Sequence, residues 1–320
     1  MADWLNLIGS AVILVEAVLG ITFSSLVIFI YFYGSSEKTS FNLICLSRAI
    51  NNVIVLGFNF LILDFPTALL SKNFWPPTVE TLIIVITVNL YMVNEYQTIL
   101  IAVNRFIAIF IPLHYNKLFS NKVAAVFLAA LYLERGYSSV TKLITLFEYD
   151  CLSIWSIETF QITYKNATCT LPTGFDGYLI IILPLAVFAL TILLNLMTFT
   201  KILRFYLSHN MDSDTAASVK NNIRLFFQTV LQDSLFFVDV LFTFKLSRLS
   251  DHRVWYFIST VFVWETIHML DGLIMLMFSD RITEVKAKFR KTTKSTNSIG
   301  DRQTSDFRAV TTSHHMPDIA

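Results

Sequence analysis

The residues of this chain best able to do chemistry are ionisable groups set inside long apolar stretches: Arg48, Glu95, Arg105, Asp233, Asp239, Glu265, His268 and Asp271. A charge in such surroundings is costly unless it pairs, lines a wet cavity or meets a partner. Three chemistries follow: buried ion pairing, an acid-lined path for ions, and a cationic contact offered to another molecule. Metal binding is a fourth, since Glu265 and His268 stand one helical turn apart on one face. A zinc-type site needs three or four ligands, however, and a lone pair of this kind is more often a buried polar contact. Covalent catalysis has no foothold. There is no HExxH, no glycine-rich phosphate loop and no GxSxG elbow, so we read no catalytic residue, no metal ligand and no cofactor. Nucleic acid is not an expected partner, for the net charge is only +1 and no basic-aromatic patch is present.

The elements that must position these groups are seven apolar segments, over residues 8–33, 41–63, 79–111, 121–147, 178–205, 223–244 and 254–278. The chain is 55% hydrophobic and 15% charged with 29 phenylalanines, a composition that as a soluble domain would expose large apolar patches. Long runs, instead of an amphipathic period, point to lipid as the solvent. The first run is too long for a cleavable signal and is expected to direct insertion itself. The fourth segment is the weakest, interrupted by Glu134-Arg135-Gly136 and Lys142, and is assigned because its strong neighbours demand a crossing. The third exceeds the bilayer thickness, so its last two turns, with Asn104, Arg105 and Phe106, project beyond the hydrocarbon. Alone, Arg105 reads as a snorkelling anchor at a helix end.

Lysine and arginine fix the expected orientation. With the N-terminus outside, sixteen cations fall on the inner side and five on the outer. The sequon Asn166-Ala167-Thr168 then lies on the side where glycans are added. Residues 148–177 read as a polar outer loop holding Cys151 and Cys169, which either pair in that oxidising compartment or stay as free or differently paired thiols. Cys45, inside the second segment, reads as packing. Beyond the seventh segment, 281–294 places Ile282, Val285 and Phe289 on one face among basic residues, an amphipathic helix lying on anionic lipid. The expected architecture is an all-α membrane protein: a seven-transmembrane bundle over 1–294 and a disordered inner tail over 295–320.

At about 1.5 Å per residue, Arg48 and Asp271 both sit roughly 10 Å from the inner helix ends, and Glu95 lies at similar depth. We expect a buried network of Arg48, Glu95 and Asp271 joining segments two, three and seven, extended by Asn51, Asn52 and Asp233. Such a network either satisfies polar groups statically or biases a two-state helix rearrangement. In the outer halves, depth and polarity single out Tyr91, Asp239, Phe242, Trp264 and Glu265 as candidate cavity liners, positions where plain packing is the commoner role.

Asn104-Arg105-Phe106 followed by Pro112 and Tyr115, at the inner end of the third of seven helices, resembles a G-protein-coupled receptor. In that superfamily an acid-Arg-aromatic triplet stands here, with a proline and often a tyrosine after it. Here Asn104 replaces the acid, so we expect hydrogen bonds to restrain Arg105 in place of a salt bridge. Lys220 and Arg224, near the inner end of segment six, supply no acid either. Neither CWxP in segment six nor NPxxY in segment seven is present.

The stretches FNLICLSRAINN (41–52), NRFIAIFIPLHYNKLFS (104–120), LFFQTVLQDSLFFVDV (225–240) and WETIHMLDGLIMLMFS (264–279) are similar to nematode serpentine chemoreceptors of class X. The first segment lacks the asparagine expected near Ser24-Ser25, and the fourth is poorer than the family's usual apolar helix. The resemblance implies a chemosensory receptor in the plasma membrane of sensory cilia. It would bind a small external molecule and signal through a heterotrimeric G protein contacting Asn104, Arg105, Phe106, Pro112 and Tyr115. The rival reading is an ion channel or transporter using Asp233, Asp239, Glu265 and Asp271; an odd helix count and the lack of an internal repeat stand against it.

Overall fold

The computed structural model describes residues 4–34, 39–166, 168–169, 176–207 and 213–278. The basic stretch 281–294 and the tail 295–320 lie outside them. Seven helices run through the described chain: α1 Trp4–Tyr33, α2 Ser40–Leu70, α3 Pro77–Phe110, α4 Asn121–Glu148, α5 Asp176–Leu207, α6 Ser213–Phe244 and α7 Arg253–Met277. Six are long and apolar enough to cross a membrane; α4, carrying Glu134, Arg135 and Lys142, is the exception. With 28 residues it still spans about 42 Å. Its Glu134 and Arg135 pair with each other, and Arg135 lies over the Tyr96 ring at 5.3 Å, so two of the charges that weaken the helix are answered locally.

Local chemistry explains the helix limits. Thr39 caps α2 by accepting the Asn42 N–H at 3.3 Å, and Ser120 caps α4 by accepting that of Val123 at 3.4 Å. Ser71, with φ of 53°, closes α2 in the left-handed conformation. Pro76-Pro77 opens α3, and Pro112, starting a 3-10 turn over Pro112–His114, follows its end. The second segment, expected to end at residue 63, runs on through Asp64 and Pro66. The helix instead widens to a π-helical stretch over Val55–Asp64 and continues to Leu70. Pro66 cannot donate to the Ile62 carbonyl four residues back, and the Trp75 indole N–H takes that carbonyl at 2.7 Å. The widened turn also lets Asn59 donate to Asp64, five residues on, at 3.0 Å.

Residues 148–177 differ from the expected polar loop as well. They contain an antiparallel hairpin, β1 Ser153–Ser156 and β2 Gln161–Tyr164. Two strands alone are marginal, and this pair is held by aromatic plugs. Trp155 and Phe160 are buried, and Phe160 meets the Phe257 ring at 5.2 Å and lies beneath the Arg253 guanidinium at 4.8 Å. Glu80, in the first turn of α3, accepts the Trp155 backbone N–H at 3.0 Å and ties the hairpin to the bundle. A disulfide joins Cys151 to Cys169, Cα atoms 5.4 Å apart, closing the loop on itself. Exposed Asn166 accepts the Thr168 hydroxyl at 2.7 Å beside it.

The N-terminal end of α1, the α2–α3 turn, the hairpin and the start of α7 share one end of the bundle, as the Asn6–Ser71 and Arg253–Asn6 contacts show. Two apolar cores stack along the bundle. One, toward that end, gathers Ile13, Phe60, Trp155 and Phe160; the other, toward the opposite end, gathers Phe41, Ile44, Ile101 and Met275. A polar layer separates them.

α1, α2 and α7 approach closely through glycine. A Cβ on Gly20 would stand 2.5 Å from Leu56 Cδ1 and 3.0 Å from the Met269 Cα, and one on Gly272 would stand 2.6 Å from Ser24 Oγ. The backbone of α7 cannot yield as a side chain can. Gly20→Val should therefore destabilise the protein by roughly 1–3 kcal/mol through overpacking. A thermal melt of the purified variant, unchanged from the parent, would count against this close approach.

Candidate functional site

The polar layer begins with Arg48, wholly buried on α2. Its guanidinium donates to Asp271 Oδ1 on α7 at 2.8 Å and, more weakly, to Oδ2 at 3.4 Å. A carboxylate can only accept, so every neighbour turns a donor to it. Gln232 on α6 donates at 2.7 Å and Asn52 on α2 at 2.8 Å. This choice orients the rest. With its amide nitrogen on Asp271, Asn52 presents Oδ1 to Asn94 at 2.9 Å and to His268 Nδ1 at 2.8 Å. Asn94 then accepts from Asn51 at 2.8 Å, Asn51 from the Tyr132 hydroxyl at 2.7 Å, Tyr132 from Ser47, and Ser47 from Gln97 at 2.8 Å. A single directed chain of donors thus runs Gln97, Ser47, Tyr132, Asn51, Asn94, Asn52, Asp271 across α2, α3, α4 and α7.

Toward the hairpin end, acids and rings gather. The Tyr91 hydroxyl meets Asp239 on α6 in a short contact and Glu95, one turn along α3, at 3.0 Å. The Trp264 and His268 rings each lie 5.9 Å from that of Tyr91, and Phe236 lies 6.1 Å from it. At the opposite end, Arg105 is buried with its guanidinium 4.0 Å over the Phe41 ring of α2. Its Nε and one terminal nitrogen make no hydrogen bond. Asn104 accepts instead from the Tyr115 hydroxyl at 2.8 Å, and Tyr115 meets Ser40 at 2.9 Å. The expected hydrogen-bond restraint of Arg105 is therefore replaced by a ring face. Phe106 stacks on Phe110 at 4.4 Å, while Pro112 is exposed. Arg224 donates to the Phe278 carbonyl at 3.0 Å; the side chain of Lys220 lies outside the described residues.

Two comparisons bear on this arrangement. The family model of the serpentine type 7TM GPCR chemoreceptor Srx matches residues 14–279, nearly the whole bundle. The chain belongs to this family of serpentine chemoreceptors. Among curated proteins it is similar to serpentine receptor class X 45 of Caenorhabditis elegans, 23% identical over 222 residues covering 61% of this chain. The chain spans 57% of that relative's length. It is thus a multi-pass membrane protein of a seven-transmembrane receptor family, α4 supplying the seventh helix.

Arg48, Asn51, Asn52 and Asp271 come together as one network. Two residues expected with them do not. Glu95 turns to Tyr91, and Asp233 accepts from Asn195 on α5 at 2.6 Å. Glu95 lies on a helix face directed elsewhere, and Asp233, though near Arg48 and Asp271, spends its hydrogen bond on α5, which depth alone cannot distinguish. Of the candidate cavity liners, Tyr91, Asp239 and Trp264 cluster, with Phe242 packed against the same group. Glu265 has Glu16 of α1 and Asp64 of α2 as its charged neighbours, whereas His268 meets Asn52, so the two do not share a site. Asn94, Gln97, Tyr132 and Gln232 escape the sequence reading because an uncharged amide or hydroxyl in an apolar run carries no depth signal. The spacing of Tyr91 and Glu95, one turn apart on one face, was the available clue.

Removing one member of the buried pair leaves a charge uncompensated. Asp271→Leu alone should cost about 3–5 kcal/mol, and the double variant Arg48→Met with Asp271→Leu should recover most of it. Unfolding of the purified variants reads this directly; a double variant no more stable than the single one would show that the pair does not act as a unit.

Proposed function

We propose that this protein is a chemosensory receptor that binds a small external molecule near the hairpin end and activates a heterotrimeric G protein at the opposite end. The observation carrying this reading is the hold on Arg105. Among the described residues a cation at the mouth of α3 is kept by a ring face alone, with hydrogen-bonding capacity unspent. A cation–π contact is worth about 0.5–2 kcal/mol, so exchanging Phe41 for a partner's acceptors is an accessible step. Asn104, Phe106, Pro112 and Tyr115 frame that contact surface. The network of Arg48, Asn51, Asn52 and Asp271 is the element whose rearrangement links the two ends, with Glu95 and Asp233 in the contacts flanking it.

This reading places the N-terminus and the hairpin outside, where Asn166 would carry a glycan, and the α3–α4 turn inside, near anionic membrane lipids. The plasma membrane of sensory cilia is the location the family resemblance favours. An ion pathway fits less well: Asp271, Asp239, Asp233 and Glu265 sit in four separate contacts instead of one line.

Arg105→Ala should abolish ligand-evoked nucleotide exchange on the G protein while surface expression persists. Exchange at the parental level would return Arg105 to the role of membrane anchor. Evoked currents that survive complete G-protein blockade would favour the channel.

A further inference from the structure

The cluster around Tyr91 has more negative charge than its surroundings answer. Among the described residues, buried acids number seven (Asp64, Glu80, Glu95, Asp233, Asp239, Glu265 and Asp271) against two buried arginines. Arg48 is committed to Asp271, and Arg105 lies at the far end. Glu95 and Asp239 converge on one phenol, which has one hydrogen to give. A positive charge, as a proton or a bound cation, is needed to hold two carboxylates at that oxygen.

The unspent polar atoms nearby are mostly acceptors. Glu95 Oε2 is buried without a hydrogen-bond partner. His268, fully buried, gives its Nδ1 hydrogen to Asn52, so in the neutral ring Nε2 is a lone pair, and it too is unpartnered. The walls are aromatic: Tyr91, Trp264, Phe236 and the His268 ring itself lie within 5.9–6.2 Å of one another in the contacts they make. Lone pairs and π faces favour the same guest, a cation bearing N–H donors on a small apolar body.

We propose that Tyr91, Glu95, Asp239, Trp264 and His268 form the recognition site for a small protonated amine. The inference rests on the receptor reading and names its ligand class. The ammonium takes the place of the shared proton between Glu95 and Asp239, and the rings enclose its alkyl body. The site adjoins the polar layer twice. His268 holds Asn52, which holds Asp271, and Phe236 lies under the Arg48 guanidinium at 5.0 Å. An occupant pressing on either ring acts directly on the buried ion pair.

The test is thermal unfolding of the full-length receptor in nanodiscs, with alkylammonium chlorides from methyl to hexyl. The corresponding alcohols and carboxylates serve as size-matched neutral and anionic controls. At saturation at least one ammonium should raise the melting temperature by about 4 °C, with no shift from its alcohol or carboxylate. In Glu95→Gln and Asp239→Asn, which keep side-chain shape, half-maximal stabilisation should require at least about tenfold more amine. An equal shift from the alcohol, no shift from any ammonium, or unchanged responses in both variants would overturn the proposal. The receptor reading is judged separately by G-protein nucleotide exchange evoked by any compound: exchange driven by an alcohol or carboxylate alone would keep the receptor and discard the amine.

Discussion

The Arg48–Asp271 pair is the constraint on which the other interior contacts depend. Neither side chain can reach water, and an isolated charge there would cost several kcal/mol after relaxation. The pair ties α2 to α7 across 223 residues of sequence. Because Asp271 carries only lone pairs, it also fixes which way the Asn52 amide turns. That choice sets Asn94, then Asn51, then the hydroxyl of Tyr132. A charge on one helix thus dictates hydrogen-bond direction on four. Each bond in such a chain polarises the next, so the chain favours one arrangement over its mixtures.

α2 is the hub through which this polarity passes. Phe41 under Arg105, Ser47 under Tyr132, Arg48, Asn51 and Asn52 all belong to its first four turns, and Asn59 on its π-helical part accepts from Thr87 on α3 at 3.2 Å. The helix therefore contacts both apolar cores and the polar layer between them at once. Its widened turn is what allows this length. Continuing through Pro66 leaves the Ile62 carbonyl without the donor four residues on, and the Trp75 indole removes that penalty. Packing of α1 through Gly20 and Gly272 then leaves the hub little lateral freedom.

Much of the fold was legible in sequence because lipid imposes a coarse and strong signal. Runs of about twenty apolar residues mark helices whatever their partners are. The family motifs marked the same bundle, and the ion pair followed from two opposite charges at equal depth. What depth cannot encode is azimuth. Glu95 and Asp233 hydrogen-bond outside the network expected for them, since a few residues' difference in helix phase turns a side chain to another neighbour. Tyr132 was hidden by the charged residues beside it, which made α4 read as a poor helix, while its one hydroxyl completes the donor chain. The hairpin was missed because its four-residue strands are too short to show a period, and Trp155 and Phe160 act through burial that only the assembled bundle supplies.

Two buried arginines in one bundle are held in opposite ways, and the difference has physical content. Arg48 meets a carboxylate in near-fork geometry together with an aromatic ring, an arrangement whose loss would leave two uncompensated charges. Among the described residues Arg105 meets only the face of Phe41, and the neighbouring Asn104 is occupied by Tyr115. The first interaction resists exchange by several kcal/mol, and the second by about 2 kcal/mol. With an acid at position 104, Arg105 would have a covalent neighbour able to pair with it. With asparagine there, the arginine is left to whichever group approaches with acceptors. Asparagine at position 104 therefore makes the contact at Arg105 looser, and the firmer tie between helices is the one between Arg48 and Asp271.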